Sequence, residues 1–189
     1  MKARNLLLPL TILAALAVTP AVAQDSGFFL EARGGSASID EDPFDDTTTA
    51  FQFNAGYRWG GWGIEGGYVT FNDFEDDLFG QNVNAELDGW TLGINGKGNF
   101  ADQWYLSGRL GAFFWDADAN TVICESPVNC ASVSADTDGT DFYAGVGIGY
   151  DFSPQWSAGI AYDYFGADGD NGIDTLDTNV FSATVELRF

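Results

Sequence analysis

Eight segments of alternating polarity, tight turns that trade places with long polar stretches, and tryptophans beside those turns predict an all-β chain. The expected architecture is an eight-stranded antiparallel up-and-down transmembrane β-barrel. The stretch FQFNAGYRW, residues 51–59, shows the signal in small. Phe51, Phe53, Ala55, Tyr57 and Trp59 share one parity; Gln52, Asn54, Gly56 and Arg58 share the other. Successive side chains of a strand point to opposite faces, so this segment has one apolar and one polar face. In a soluble protein the aromatics would turn into a core. In a barrel that crosses a membrane they would face lipid, with Arg58 inside.

The first element is not a strand. Residues 1–23 carry a basic start (Lys2, Arg4), an apolar run from Leu6 to Val18, and Ala21-Val22-Ala23 before Gln24. This reads as a secretory signal peptide, leaving 24–189 as one barrel domain. The strands are expected near 26–37, 49–59, 62–72, 86–98, 103–115, 141–152, 155–165 and 178–189. Their lengths suit the ~9–11 tilted residues that cross a bilayer as a strand. One parity makes an apolar band, from Phe28, Leu30 and Ala32 through Trp90, Leu92 and Ile94 to Phe181, Val185 and Phe189.

Connections alternate in length. Gly60-Gly61, 99–102 and 153–154 are tight turns, whereas 38–48, 73–85, 116–140 and 166–177 are long and polar. That alternation gathers the long connections at one end, as short periplasmic turns and long outer loops do. Trp59 and Trp62 flank the first tight turn, Trp104 follows the second and Trp156 the third. Tryptophans so placed suit an interfacial girdle at headgroup depth.

Charge is the next guide. The formal net charge is -21, from 7 basic and 28 acidic residues, with no histidine. A nucleic-acid partner is excluded, because phosphates call for a basic surface. After removal of 1–23 the bases left are Arg33, Arg58, Lys97, Arg109 and Arg188, each on the less apolar parity of a strand. Glu31, Glu65, Asp151, Asp163 and Glu186 share that parity. These ten residues are expected to form lumen ion pairs, since acids neutralise bases where water is scarce.

The segment TNVFSATVELRF, whose apolar parity runs from Phe181 to Phe189, resembles the last strand of bacterial outer-membrane β-barrels. With the signal peptide and the alternation, the chain resembles small members such as the OmpA transmembrane domain and the OmpX/Ail group across the whole mature sequence. The resemblance implies a Gram-negative outer-membrane location after Sec-type export, and contact with outer-membrane lipid and lipopolysaccharide. It also implies that Phe189 is an assembly signal read by the barrel assembly machinery. The peptidoglycan-binding domain of full-length OmpA-like proteins is not expected after Phe189.

Two further constellations remain. Cys124 and Cys130, in CESPVNC, suggest a disulfide in an exported chain. Asp168, Asp170 and Asp174, in DGDNGID, offer hard oxygen ligands for weak Ca²⁺ binding. However, Ile173 stands where an EF-hand needs glycine, and solvated loops are the preferred reading. No cofactor is expected beyond such weakly held divalent cations. Known barrel enzymes use histidine as base or partner, so an enzyme is not expected. The leading function is a non-enzymatic surface protein serving envelope integrity, or adhesion and interaction through acidic outer loops. A narrow ion or small-solute channel and a soluble periplasmic ligand-binding barrel stay open as alternatives. The surface partner is not legible.

Overall fold

A computed structural model describes residues 26–41, 44–78, 81–126, 129–167 and 177–189; within 39–46, 73–86 and 118–136 it describes the backbone alone. The signal-peptide expectation and the Asp168, Asp170 and Asp174 expectation lie outside the described residues, as do the side chains of Cys124 and Cys130.

The strands are β1 (Ser26–Glu41), β2 (Phe44–Trp59), β3 (Trp62–Leu78), β4 (Gln81–Ala101), β5 (Trp104–Ser126), β6 (Asn129–Asp151), β7 (Trp156–Phe165) and β8 (Thr178–Arg188). Each pairs antiparallel with its sequence neighbours, and β1 pairs with β8, so the sheet closes. Closure removes every sheet edge inside the membrane, where unpaired backbone groups could not find water.

The turn at Gly60-Gly61 sits where the sequence places it, whereas the one expected at 99–102 is displaced to Asp102-Gln103, because β4 stays paired with β5 through Ala101. Gly60 opens the β2–β3 turn at φ 66, a left-handed conformation that glycine adopts without a Cβ clash. Between β6 and β7, Ser153 Oγ accepts from the Trp156 amide at 2.9 Å and restarts the chain as β7. Phe189 donates its amide to Phe28 O at 2.9 Å across the β1–β8 seam.

Three of the long polar stretches differ from expectation. Most of 38–48, 73–85 and 116–140 is strand, not loop, and β5 and β6 reach 23 residues each. The physical reason is that a hydrogen-bonded ladder needs a partner strand, not an apolar face. Outside the bilayer both faces of that ladder can be polar. Thr47, Thr48 and Thr49 also favour the extended backbone. Cys124 and Cys130 fall directly opposite one another in the β5–β6 register.

The alternation fixes two faces of very different chemistry. Outward, Phe28, Phe53, Trp90, Leu92, Leu106, Val146 and Phe181 are all at least 55% exposed, an arrangement unstable in water and suited to lipid. Inward, the half of the lumen nearer the short turns is polar. The opposite half packs Val69, Phe71, Leu87, Phe113, Trp115, Tyr143, Phe165 and Val180 into a buried apolar cluster.

Candidate functional site

The polar half of the lumen is built from strand residues of inward parity. Arg33 on β1 places Nε 2.7 Å from Glu31 Oε1 and Nη1 2.7 Å from Asp163 Oδ2 on β7. Arg109 on β5 places Nε 3.1 Å from Glu65 Oε1 and 3.6 Å from Asp163 Oδ1. Tyr143 donates its hydroxyl to Glu65 Oε1 at 2.8 Å, and Arg109 Nη1 donates to Gln52 Oε1 at 3.2 Å. Asn54 links this group to Glu31, donating at 3.1 Å.

A second group lies nearer the short turns. Lys97 Nζ donates to Asp151 Oδ1 at 3.0 Å, to Glu186 Oε1 at 2.9 Å and to Ser157 Oγ at 2.9 Å. Arg58 Nη1 is 2.7 Å from Glu186 Oε2, and Arg188 Nη2 is 2.7 Å from Asp151 Oδ1. The structure thus brings together all ten residues named from the polar parity, five bases with five acids, so their formal charges cancel.

Aromatic rings complete the cages. Arg58 lies over Phe29 at 4.0 Å, Lys97 over Tyr105 at 3.7 Å and Arg109 over Tyr143 at 4.6 Å. Each ring offers its negative face to a cation withdrawn from water. Room for these groups comes from absent side chains. A Cβ at Gly145 would collide with the Asp163 carboxylate, and one at Gly93 or Gly111 with Tyr143.

Two seals follow. Among the charges a cavity lined by Glu31, Arg58, Glu65 and Arg109, with others, has about 10 Å³ open to water, room for roughly one molecule. Beyond it, Phe165 meets Phe113 at 5.2 Å, Phe71 at 5.9 Å and Tyr143 at 5.9 Å. The polar parity of the strands gives no sign of this aromatic plug. Its trace is in the doublets Phe113-Phe114, Phe142-Tyr143 and Tyr164-Phe165, where one ring of each pair must face inward.

Trp59 and Trp62 face each other across the first tight turn with ring centroids 5.4 Å apart, and both are exposed. Trp104 and Trp156 start β5 and β7 at the same end of the barrel, and are also exposed. Trp104 packs edge-on against Tyr150 at 5.4 Å. Ser26 and Phe189 lie at this end too.

A closed eight-stranded sheet with lipid-facing aromatics and a charge-packed lumen has a counterpart among protein families. The model of the Outer membrane protein beta-barrel domain matches residues 8–189. The chain belongs to that family. The barrel is therefore an outer-membrane protein, its short turns periplasmic and its long strands outward. No curated protein sequence matches it. Its fold is similar to that of Neisserial surface protein A, at TM-score 0.63 and 16% identity over 87% of this chain and 99% of that one. It is similar to Ail of Yersinia pestis, solved with the heparin analogue sucrose octasulfate, at TM-score 0.55 and 18% identity over 87% and 97%. OprG from Pseudomonas aeruginosa is similar at TM-score 0.53 and 15% identity over 89% and 96%. At these identities the likeness concerns the fold.

Outside the lumen the barrel's outer end is acidic. Asp88, Asp116 and Asp138 stand in one row across β4, β5 and β6, on the outward parity just beyond Trp90 and Phe114. Like charges directly opposite one another repel, and Asp88 accepts a hydrogen bond from the Tyr68 hydroxyl. Among the described residues no three acidic or sulfur side chains converge to hold a metal ion.

Proposed function

We propose that this barrel is a non-conducting, non-enzymatic surface protein that acts through its acidic outer end. One observation carries the reading: the partition of charge. All five bases of the mature chain are used in the lumen, against five acids. The full sequence carries 28 acidic residues against 7 basic ones, so acid outnumbers base outside the lumen. The partner class that fits is cationic. A polyanion of the kind solved with Ail would be repelled here. Contact with lipopolysaccharide phosphates would need divalent cations between the two anionic surfaces, and the Asp88–Asp116–Asp138 row stands at the right depth for that.

The backbone adds a way to bind. β7 pairs with β6 from Tyr143 to Asp151, and among the described residues no strand pairs with β6 from Asn129 to Asp141 on the side away from β5. Such an edge can accept an extended segment, and its acids select against apolar chains. The assembly role of Phe189 and a Cys124–Cys130 disulfide belong to the same reading of an exported, membrane-assembled surface barrel.

The channel alternative is disfavoured by the two seals. Planar-bilayer recordings of the refolded barrel are expected to show no unitary conductance. Steady single-channel openings in the wild type, absent from a Gly145→Val variant, would overturn the non-conducting reading. Retained binding of a cationic peptide after Asp88, Asp116 and Asp138 are all changed to Asn would overturn the role of the acidic end.

A further inference from the structure

The outer wall of the barrel is not evenly covered. Gly96 on β4 and Gly108 on β5 stand directly opposite each other on the lipid-facing parity. They form the floor of a groove of about 600 Å³ with Ala144 at its far end. Trp62, Ile94, Leu110, Val146 and Tyr162 form its sides. Asn95 and Arg109 also border it, but both are buried and turn their side chains to the lumen.

Glycine in a strand interior weakens the strand and needs a reason. The inward glycines have one, since a Cβ at Gly93, Gly111 or Gly145 would strike a lumen side chain. The groove glycines do not. A Cβ at Gly108 would find its nearest neighbour, Gly145 O, at 3.9 Å, and one at Gly96 would find Gly61 O at 3.4 Å. Nothing inside the barrel asks for the dent, so its use lies outside.

We infer that the groove seats one acyl chain of an inner-leaflet phospholipid. Depth decides the leaflet. Trp62 pairs with Gly96 and marks the periplasmic rim, and the groove runs from there toward Leu110 and Ala144. Chemistry decides the chain. The outward lining is aliphatic and aromatic; its polar atoms are the Trp62 indole at the rim and the Tyr162 hydroxyl, which already donates to Asn179 Oδ1 at 2.8 Å, so a headgroup or peptide would find few hydrogen-bonding partners, whereas methylenes gain close contact with the ring and aliphatic sides. The inference goes beyond the surface role and does not depend on it.

The test uses the mature barrel in nanodiscs of phosphatidylethanolamine, extracted into mild detergent and weighed by native mass spectrometry. Gly108→Leu fills the floor. Gly98→Leu makes the same change at an outward site where a Cβ meets nothing within 4 Å and which does not border the groove. Wild type and Gly98→Leu are expected to keep one phospholipid, and Gly108→Leu to keep about tenfold less, equivalent to ~1.4 kcal/mol of lost packing. Equal retention in all three, or none in the wild type, overturns the inference. So does a dimeric mass that disappears with Gly108→Leu, which would assign the groove to a second copy. Should Gly108→Leu not fold, quenching by chain-brominated lipid gives a second reading in the wild-type background. The Trp62 signal, taken as the difference from Trp62→Phe, should be quenched more than the Trp104 signal taken likewise. Equal quenching counts against the groove.

Discussion

Arg109→Ala is the perturbation that best tests whether the lumen charges hold the barrel together. The Arg109 side chain is 3% exposed, and its acidic partners Glu65 and Asp163 are 2% and 1% exposed. At 3.1 Å, Arg109 and Glu65 attract by ~5 kcal/mol at an effective dielectric of 20, before desolvation is counted. Removing one partner of a buried pair costs ~3–5 kcal/mol, because the other charge is left without compensation. The lower end applies here. Glu65 keeps the Tyr143 hydroxyl, and Asp163 keeps Arg33 at 2.7 Å. Arg188→Ala is the internal comparison. Its side chain is 31% exposed, and Lys97 stays bound to both of its acidic partners, so its loss should cost no more than ~1 kcal/mol. Glu65→Ala combined with Arg109→Ala removes the stranded charge and should cost less than Arg109→Ala alone. The assay is equilibrium urea unfolding in phospholipid vesicles, followed by tryptophan fluorescence and by heat-modifiable gel mobility. If Arg109→Ala and Arg188→Ala were equally costly, or the double variant no more stable than the single, the paired-lumen argument would fail.

Two more outcomes follow from the same structure. Leu92→Lys, on the outward face at 60% exposure, should cost ~2–4 kcal/mol in vesicles if the site lies near the midplane. An effect within ~0.5 kcal/mol, usual for a water-exposed surface position, would contradict a lipid-facing wall. Deleting Phe189 removes the amide that donates to Phe28 O at the β1–β8 seam, and should lower the yield of the heat-modifiable folded form in native membranes. An unchanged yield at ordinary expression would show that the seam closes without it.

The likeness to Ail concerns the scaffold, and the charge pattern of the outer end is this chain's own. The barrel wall is set by lipid and by backbone pairing, and many sequences satisfy both. The outer end is free of those demands, so its charge can be tuned to what it meets. Here acid dominates, and the bases that could have balanced it are committed to the lumen.

Much of this was determined by the sequence alone, because a strand's period of two leaves no freedom about which residues share a face. Phe51, Phe53 and Trp59 on one parity and Gln52, Asn54 and Arg58 on the other require a two-faced wall. Gly60-Gly61 and the tryptophans beside the tight turns orient it. What the alternation cannot carry is relation between strands. Arg33 meets Asp163, which is 130 residues away, only because closure of β1 on β8 and the barrel's stagger bring them to one height. The aromatic plug was hidden for a similar reason. Phe113 and Phe165 read as ordinary apolar residues until the tertiary structure turns both inward to the same level. The lengthened outer strands were likewise decided by pairing, since a polar segment becomes a strand when a neighbour supplies its hydrogen bonds. The lipid-facing groove needed three strands in register before Gly96 and Gly108 could lie side by side beneath Trp62. Side-chain parity is a local property of the backbone, whereas contacts across a closed sheet depend on register and shear, which no single strand contains.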